Sequence, residues 1–296
     1  MTDNFIMPFA GGKLDHVETQ RSAEELQKFV ANPKARVICF HKGAPALNEK
    51  GGLKQIHPSE LIGRNLHDPG PIFLGLNGET PLFAANVANP TDITREDLFI
   101  ELRAATRMLS PEDMSLAGRA KSLLDWHFNH RFCAKCGQVS QPQEGGLKRK
   151  CPSCETEHFP RVNPVVIMLI LSGDKVLLGR GAGWPEGAMS ALAGFISPGE
   201  TMEEAVARET MEEVGVKIKN TRYIFSQPWP WPSQLMMGVI CDAESEAFTI
   251  NKAELEDAQW FTKDEVQAVY DKKGEAFLRL PRFTIAHHLL RHWLES

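Results

Sequence analysis

Short apolar runs closed by turn residues alternate in this chain with stretches of helical period, and each predicts an element. Residues 36–40 (RVICF) read as a strand. Residues 72–76 and 81–84 read as a hairpin, because Asn77-Gly78-Glu79-Thr80 between them carries an Asn-Gly turn signal. Two longer apolar runs, 165–171 (VVIMLIL) and 175–178 (KVLL), flank Ser172-Gly173-Asp174 and predict a central hairpin. The helices are marked by their first turns. Ser22-Ala23-Glu24-Glu25 has capping-box spacing. Ser110-Pro111-Glu112-Asp113 combines an N-cap serine, a proline at the first helical position and acids in the first turn, which predicts a helix to about residue 130. Thr201 and Glu204 form another capping box and Gly215 stands where the helix should end, so 202–214 is expected to be helical, with Met202, Ala205 and Met211 as its docked apolar stripe.

Grouped along the chain, these elements predict an α+β multidomain protein: a mixed α/β domain over 1–125, a small cysteine-bearing module over 126–160 and a second mixed domain over 161–296. A length of 296 residues is more than one compact domain needs. Apolar content of 42% with 24% charged residues excludes a disordered or fibrous chain. The net charge of −5 argues against a surface that attracts nucleic acid throughout. No repeat or low-complexity tract is present. No apolar run approaches the roughly 18 residues of a membrane span, and residues 1–12 do not read as a secretory leader, so a cytoplasmic protein with no membrane partner is expected. The terminal Leu294-Glu295-Ser296 does not read as a peroxisomal address.

Four of the six cysteines form two C-x-x-C pairs, Cys133/Cys136 and Cys151/Cys154. Four thiolates can close a tetrahedral zinc shell with no open position, which makes the metal a structural one for a segment too small to have its own core. Disulfides are the rival, disfavoured in a reducing compartment. His127 and His130 lie close enough to compete as ligands or to serve as packing residues. Lys148-Arg149-Lys150 is a short basic run, either solvated or a nucleic-acid contact. Cys39 and Cys241, inside apolar stretches, read as small buried hydrophobes.

The most informative stretch is 194–216. Glu209, Glu212 and Glu213 fall at i, i+3 and i+4 of the expected helix and crowd one face. Such repulsion calls for compensation, either by solvent on an exposed acidic helix or by a hard divalent cation, which prefers oxygen ligands. Arg208 lies beside the face. Gly194, Glu200, Arg208, Glu209, Glu212, Glu213 and Gly215 match the Nudix box, a coincidence of roughly 10⁻⁸ per start position at ordinary residue usage. The chain thus resembles the Nudix hydrolases, with Thr210 where that box has a larger aliphatic residue. The resemblance implies a C-terminal Nudix α/β/α sandwich. It also implies magnesium or manganese, two or three ions, held by Glu209, Glu212 and Glu213, with Glu200 and Arg208 bracing the box.

Ten residues beyond the box, Ser226-Gln227-Pro228-Trp229-Pro230-Trp231-Pro232-Ser233-Gln234 alternates proline with tryptophan and predicts a stiff loop rather than helix interior or central strand. By composition it could stack on a base, bind a proline-rich partner or pack on the core. In this position it resembles the S-Q-P-W-P-F-P-x-S motif of the zinc-ribbon NADH pyrophosphatase family, with Trp231 for the phenylalanine and Gln234 for the last serine. Membership of that family implies a central zinc ribbon with one zinc per subunit. It further implies the Ala193 carbonyl and Glu254 as metal ligands, and a homodimer. Substrate contacts are implied for Phe159 (supplied by the second subunit), Phe195, Gln227, Pro228, Trp229, Pro230, Trp231, Pro232, Ser233, Gln234, Ala286 and, more loosely, Glu144. The implied reaction is metal-dependent hydrolysis of NADH or NAD to nicotinamide mononucleotide and AMP. The alternatives are removal of a 5′ NAD cap from RNA, hydrolysis of another nucleoside diphosphate derivative, and a non-catalytic binding module. The last is disfavoured by the intact acidic cluster.

Overall fold

A computed structural model of the chain describes residues 6–296, so the first five residues of the stretch read as leader-free lie outside the described part. The structure divides into two units, one comprising Pro8–Val162 and Trp229–Ser233, the other built from Asn163–Pro228 and Gln234–Ser296. No helix among the described residues is long and apolar enough to cross a membrane.

The first unit begins with α1 (Ala23–Ala31), whose capping box joins Ser22 and Glu25. A sheet follows, made of β1 (Arg36–His41), β2 (Ala44–Pro45), β3 (Gln55–Ile56), β4 (Ile72–Asn77) and β5 (Thr80–Asn86). The path runs β2-β1-β5-β4, with β3 also on β1, and β1 pairs β5 in parallel. Val37, Cys39, Phe73, Phe83 and Ala85 form its core. Burial pushes the Cys39 thiol up to about 12, the behaviour of an inert apolar cysteine. The β4–β5 hairpin closes more tightly than expected, because Asn77 and Thr80 pair and leave only Gly78-Glu79 as the turn. Beyond it lie the short α2 (Leu102–Ala105) and then α3 (Pro111–Asn129), capped by Ser110 and ended at His130.

The ribbon is a three-stranded sheet of β6 (Gln141–Gln143), β7 (Lys148–Lys150) and β8 (Glu157–His158). Within this unit it is joined to α3 and the loop before β4 by a buried polar network. His127 Nε2 is 2.9 Å from the Gly146 carbonyl, Arg149 Nη1 lies 3.2 Å from His127 Nδ1, and Arg149 pairs with Asp68 at 3.0 Å. Burial, with the neighbouring Arg149 cation, lowers the His127 pKa to about 4. His127 is therefore a packing residue of the joint, with both ring nitrogens spoken for.

The second unit contains β9 (Asn163–Ser172), β10 (Lys175–Gly181), β11 (Leu192–Phe195), α4 (Met202–Val214), β12 (Ile218–Trp229), β13 (Gln234–Ala243), β14 (Leu255–Thr262), α5 (Lys263–Tyr270) and α6 (Ile285–Glu295). The sheet order is β12-β13-β9-β10-β14, with β11 added to β9; β13 and β9 run parallel. Alternation along β9 sends Val166, Met168 and Ile170 into a core shared with Ala205, Val206 and Val214 of α4. The opposite face is covered by α6, whose Ile285 and Leu289 close on Gly238 so tightly that a Cβ there would lie 3.1 Å from either. The result is an α/β/α sandwich. The proline–tryptophan segment starts inside a strand rather than wholly in a loop, since Pro228 and Trp229 end β12. This strand is at the sheet edge, where a missing N–H can be tolerated.

Candidate active site

The box is assembled around α4. Its first turn is closed by the Thr201–Glu204 capping box and its last by Gly215 in the left-handed region, φ 66°. Past that cap the chain returns to the helix end: Thr249 N donates to the Val214 carbonyl and Asn251 N to the Glu213 carbonyl, both at 2.9 Å. Glu254, whose N–H donates to the Asn251 carbonyl at 3.0 Å, is thereby brought to the acidic face. Carboxylate oxygens of Glu209, Glu213 and Glu254 lie within 4.8 Å of one another.

Gly194 is required by this arrangement. A Cβ at position 194 would fall 1.9 Å from the Glu209 carboxylate carbon, so any side chain there displaces that carboxylate. Arg208 supplies the bracing. Its Nε and Nη2 donate to the two oxygens of Glu200 at 2.5 and 2.8 Å, and Nη1 donates to Glu209 at 2.7 Å and Glu212 at 2.9 Å. Nη2 also donates to the Phe195 carbonyl at 2.9 Å. All five N–H groups of a guanidinium can be used in such a fork. The Arg208 bond, with Ser197 N–H second, holds the Glu200 carboxyl down to about 2.

Glu213 is the opposite case. Burial first, and then the charges of Glu209, Glu254 and Glu212, push it up to about 8, and its Oε2 is buried with no hydrogen-bond partner among the described residues. A buried oxygen of this kind costs free energy until something satisfies it. Three carboxylates and one unsatisfied oxygen fit a hard divalent cation such as magnesium or manganese. Glu212 lies outside the three-carboxylate group: its side chain is 49% exposed and is taken by Arg208. Met211 is also 42% exposed, against the expected docked stripe; the buried positions are Ala205, Val206, Glu209, Thr210, Glu213 and Val214. The helix is rotated so that two glutamates, not Met211, face inward.

In the ribbon, Cys133 and Cys154 sulfurs are 3.6 Å apart and those of Cys136 and Cys151 3.5 Å. A tetrahedron with metal–sulfur arms of about 2.3 Å has edges of about 3.8 Å, so four sulfurs at these separations fit one zinc ion. Sequence reasoning missed His158, whose Nε2 lies 3.3 Å from Cys133 Sγ, and Thr156, whose Oγ1 lies 3.2 Å from Cys154 Sγ. Their positions within four residues of Cys154 were the available signal. The basic run is not a free patch. Arg149 is fully buried, Lys148 pairs with Glu144 at 2.7 Å and Glu157 at 2.9 Å, and Lys150 lies 3.7 Å from Glu155.

The remaining expected contacts are scattered in character. Ala193 sits on β11 opposite Ile167, and Phe195 two residues on is 54% exposed. Phe159 is 60% exposed. Gln227 is buried and its amide donates to the Phe283 carbonyl at 2.8 Å, while Ala286 is buried in the first turn of α6. In the tryptophan segment Pro228 and Pro232 are exposed, Pro230 is buried, and Trp229, Trp231, Ser233 and Gln234 are half-buried. Glu144 serves as the Lys148 partner.

Three family models match, in chain order: the NADH pyrophosphatase-like rudimentary NUDIX domain over 34–126, the NADH pyrophosphatase zinc ribbon domain over 129–159 and the NUDIX domain over 161–280. The chain is 38% identical over 223 residues to the NAD-capped RNA hydrolase NudC of Chromobacterium violaceum, covering 75% of this chain and 80% of that one. The chain belongs to the Nudix family. Within it, the human mitochondrial NAD(P)H pyrophosphatase NUDT13 is 37% identical over 258 residues, 82% of this chain and 73% of that protein. The human NAD-capped RNA hydrolase NUDT12 is 44% identical over 201 residues, 64% of this chain; this Nudix chain spans under half of NUDT12, 44% of its length. The ribbon cysteines accordingly form the structural zinc site of the family.

Proposed function

We propose that this protein hydrolyses the pyrophosphate of NADH and NAD, giving AMP and reduced or oxidised nicotinamide mononucleotide. The observation that carries the reading is the group Glu209, Glu213 and Glu254, with its unsatisfied buried oxygen, inside a matching Nudix box. Magnesium or manganese bound there supplies positive charge against the pyrophosphate and lowers the pKa of a coordinated water. The Ala193 carbonyl and Glu212 are the further ligands we assign, which allows two or three ions. Arg208 fixes Glu209 and holds Glu200 ionised, so the acidic face keeps one geometry whether or not substrate is present. Phe195, Phe159 and the segment from Gln227 to Gln234, with Ala286 and Glu144, are the assigned substrate contacts. For Gln227 and Ala286, buried as they are, this contact is indirect, through the elements they hold.

Phe159 is an exposed ring with no role in its own chain that burial would explain, which fits its supply to a second copy in a homodimer. We place the enzyme in the cytoplasm, a reducing compartment that suits a zinc-holding set of four thiolates. NAD-capped RNA is the second reading, favoured by what the relatives NudC and NUDT12 act on. Against it stands the engagement of Lys148 and buried Arg149 in ion pairs within the chain, which leaves Lys150, 3.7 Å from exposed Glu155, as the solvated member of the run. Mass-spectrometric product analysis with NADH and either metal tests the proposal. Equimolar AMP and reduced nicotinamide mononucleotide are expected. Turnover confined to capped RNA, falling steeply with salt, transfers the assignment to the second reading.

A further inference from the structure

By its contacts, the tryptophan turn Trp229–Ser233 belongs with Pro8–Val162, although β12 and β13 on either side belong to the other unit. Pro230 and Pro232 carry no N–H, so within the turn the backbone offers Trp231 N to the Trp229 carbonyl at 2.9 Å, and side chains hold the rings as well. The holders are specific. The Arg103 guanidinium carbon is 4.8 Å from the Trp231 ring centroid and 5.9 Å from that of Trp229. Trp231 Nε1 donates to Glu101 Oε1 at 3.3 Å. Phe9 meets both rings edge-on, 5.5 Å from Trp231 and 6.5 Å from Trp229, and the two indoles lie 4.7 Å apart at 57°.

Glu101 divides its carboxylate between two tasks. While Oε1 accepts from the indole, Oε2 caps α2 by accepting from Arg103 N at 2.7 Å and Ala104 N at 3.3 Å. The cap therefore fixes the residue whose guanidinium covers the rings, and α2 is itself anchored by fully buried Leu102 and Ala105. A cation over an indole face is among the stronger contacts an exposed arginine can make. One short helix end in the first unit thus contacts both tryptophans, and its hydrogen bond and cation bear most directly on Trp231.

We propose that Glu101, Arg103 and Phe9 are positioning residues for substrate recognition: they set the tryptophan pair and, through it, affinity for the dinucleotide. This rests on the reading of that turn as a substrate contact. The test is steady-state kinetics with NADH on the zinc-loaded full chain. Glu101→Gln keeps one acceptor oxygen for the cap but puts an amide donor against the indole N–H, and Arg103→Ala removes the cation. Each is expected to raise KM about fivefold with kcat within about twofold, the scale of one cation–π contact or hydrogen bond. Arg103→Lys restores KM to within about twofold, because a cation returns to the ring. Trp231→Ala is the reference. If it raises KM while Arg103→Ala and Glu101→Gln do not, the positioning role is overturned and the substrate-contact reading survives. If Trp231→Ala leaves KM unchanged, the substrate-contact reading fails and the proposal falls with it. A drop in kcat that tracks a lower melting temperature, at constant KM, also overturns the proposal, since it marks a stabilising role only.

Discussion

Four sulfurs in the ribbon lie at tetrahedral separations and are backed by His158 and Thr156, whereas the three carboxylates on the acidic face keep one buried oxygen that no group among the described residues satisfies. Each is a group of side chains that could hold a metal ion, and they differ in what they leave undone. The thiolate set is complete, so its ion contributes folding free energy. The carboxylate set is incomplete and under electrostatic strain, with Glu213 pushed up to about 8, and on the proposed function an ion held there would keep positions for substrate and water. On the proposed function, closure marks the structural site and an unsatisfied donor set marks the chemical one.

The strongest way to break this contrast is to open the closed site. Cys151→Ser removes a fully buried sulfur, and the ribbon loses metal binding worth on the order of 10 kcal/mol in small zinc modules. Zinc content below one per chain and a large drop in melting temperature are expected. The equivalent damage to the open site should spare the fold. Gly194→Ala puts a methyl where the Glu209 carboxylate sits, and kcat should fall about 10³-fold, the scale of losing a preorganised electrostatic group, with zinc retained.

Acid separates the two regions by a different route. His127 is held neutral in the joint between α3 and the ribbon, with a folded pKa of about 4 against 6.5 when unfolded. Above pH 6.5 neither state is protonated and the joint is at full strength. As pH falls from 6.5 to 4 the unfolded chain takes the proton first, and about 3 kcal/mol of stability is lost. Chemical denaturation between those values should show this loss, and His127→Gln should flatten it. The smallest effect concerns the brace. Arg208→Lys keeps the charge but cannot fork between Glu200, Glu209 and Glu212, so kcat is expected to drop about tenfold with a normal melting curve.

Local chemistry was the legible part of the chain. The bounds of α4 follow from Thr201, Glu204 and Gly215 because caps act within one turn, and the cysteine spacing specifies the ribbon because the ligands lie close in sequence. What escaped is set by distant groups. Helical spacing places Glu212 beside Glu209 and Glu213; Glu254, which completes the three-carboxylate group with the latter two, comes from 41 residues beyond Glu213. Met211 fits an apolar stripe on paper, but the core of β9 meets Ala205 and Val206 instead. Arg149 looks like the middle of a solvated basic run; β7 alternates, however, and turns it alone into the interior, where Ser140, His127 and Asp68 receive it. The α2 contacts to Trp231 join residues 130 positions apart and leave no trace in either local pattern.

The central claim is that the acidic face is an open site for a divalent cation on which turnover depends. The direct measurement is a manganese titration of zinc-loaded protein, following bound manganese by electron paramagnetic resonance and NADH turnover together, in the wild type and in Glu213→Gln. Binding and turnover that rise over the same manganese range, both lost in the variant while zinc and fold remain, are the predicted result. Full turnover in Glu213→Gln, or in wild type stripped of every divalent ion but the ribbon zinc, would contradict it.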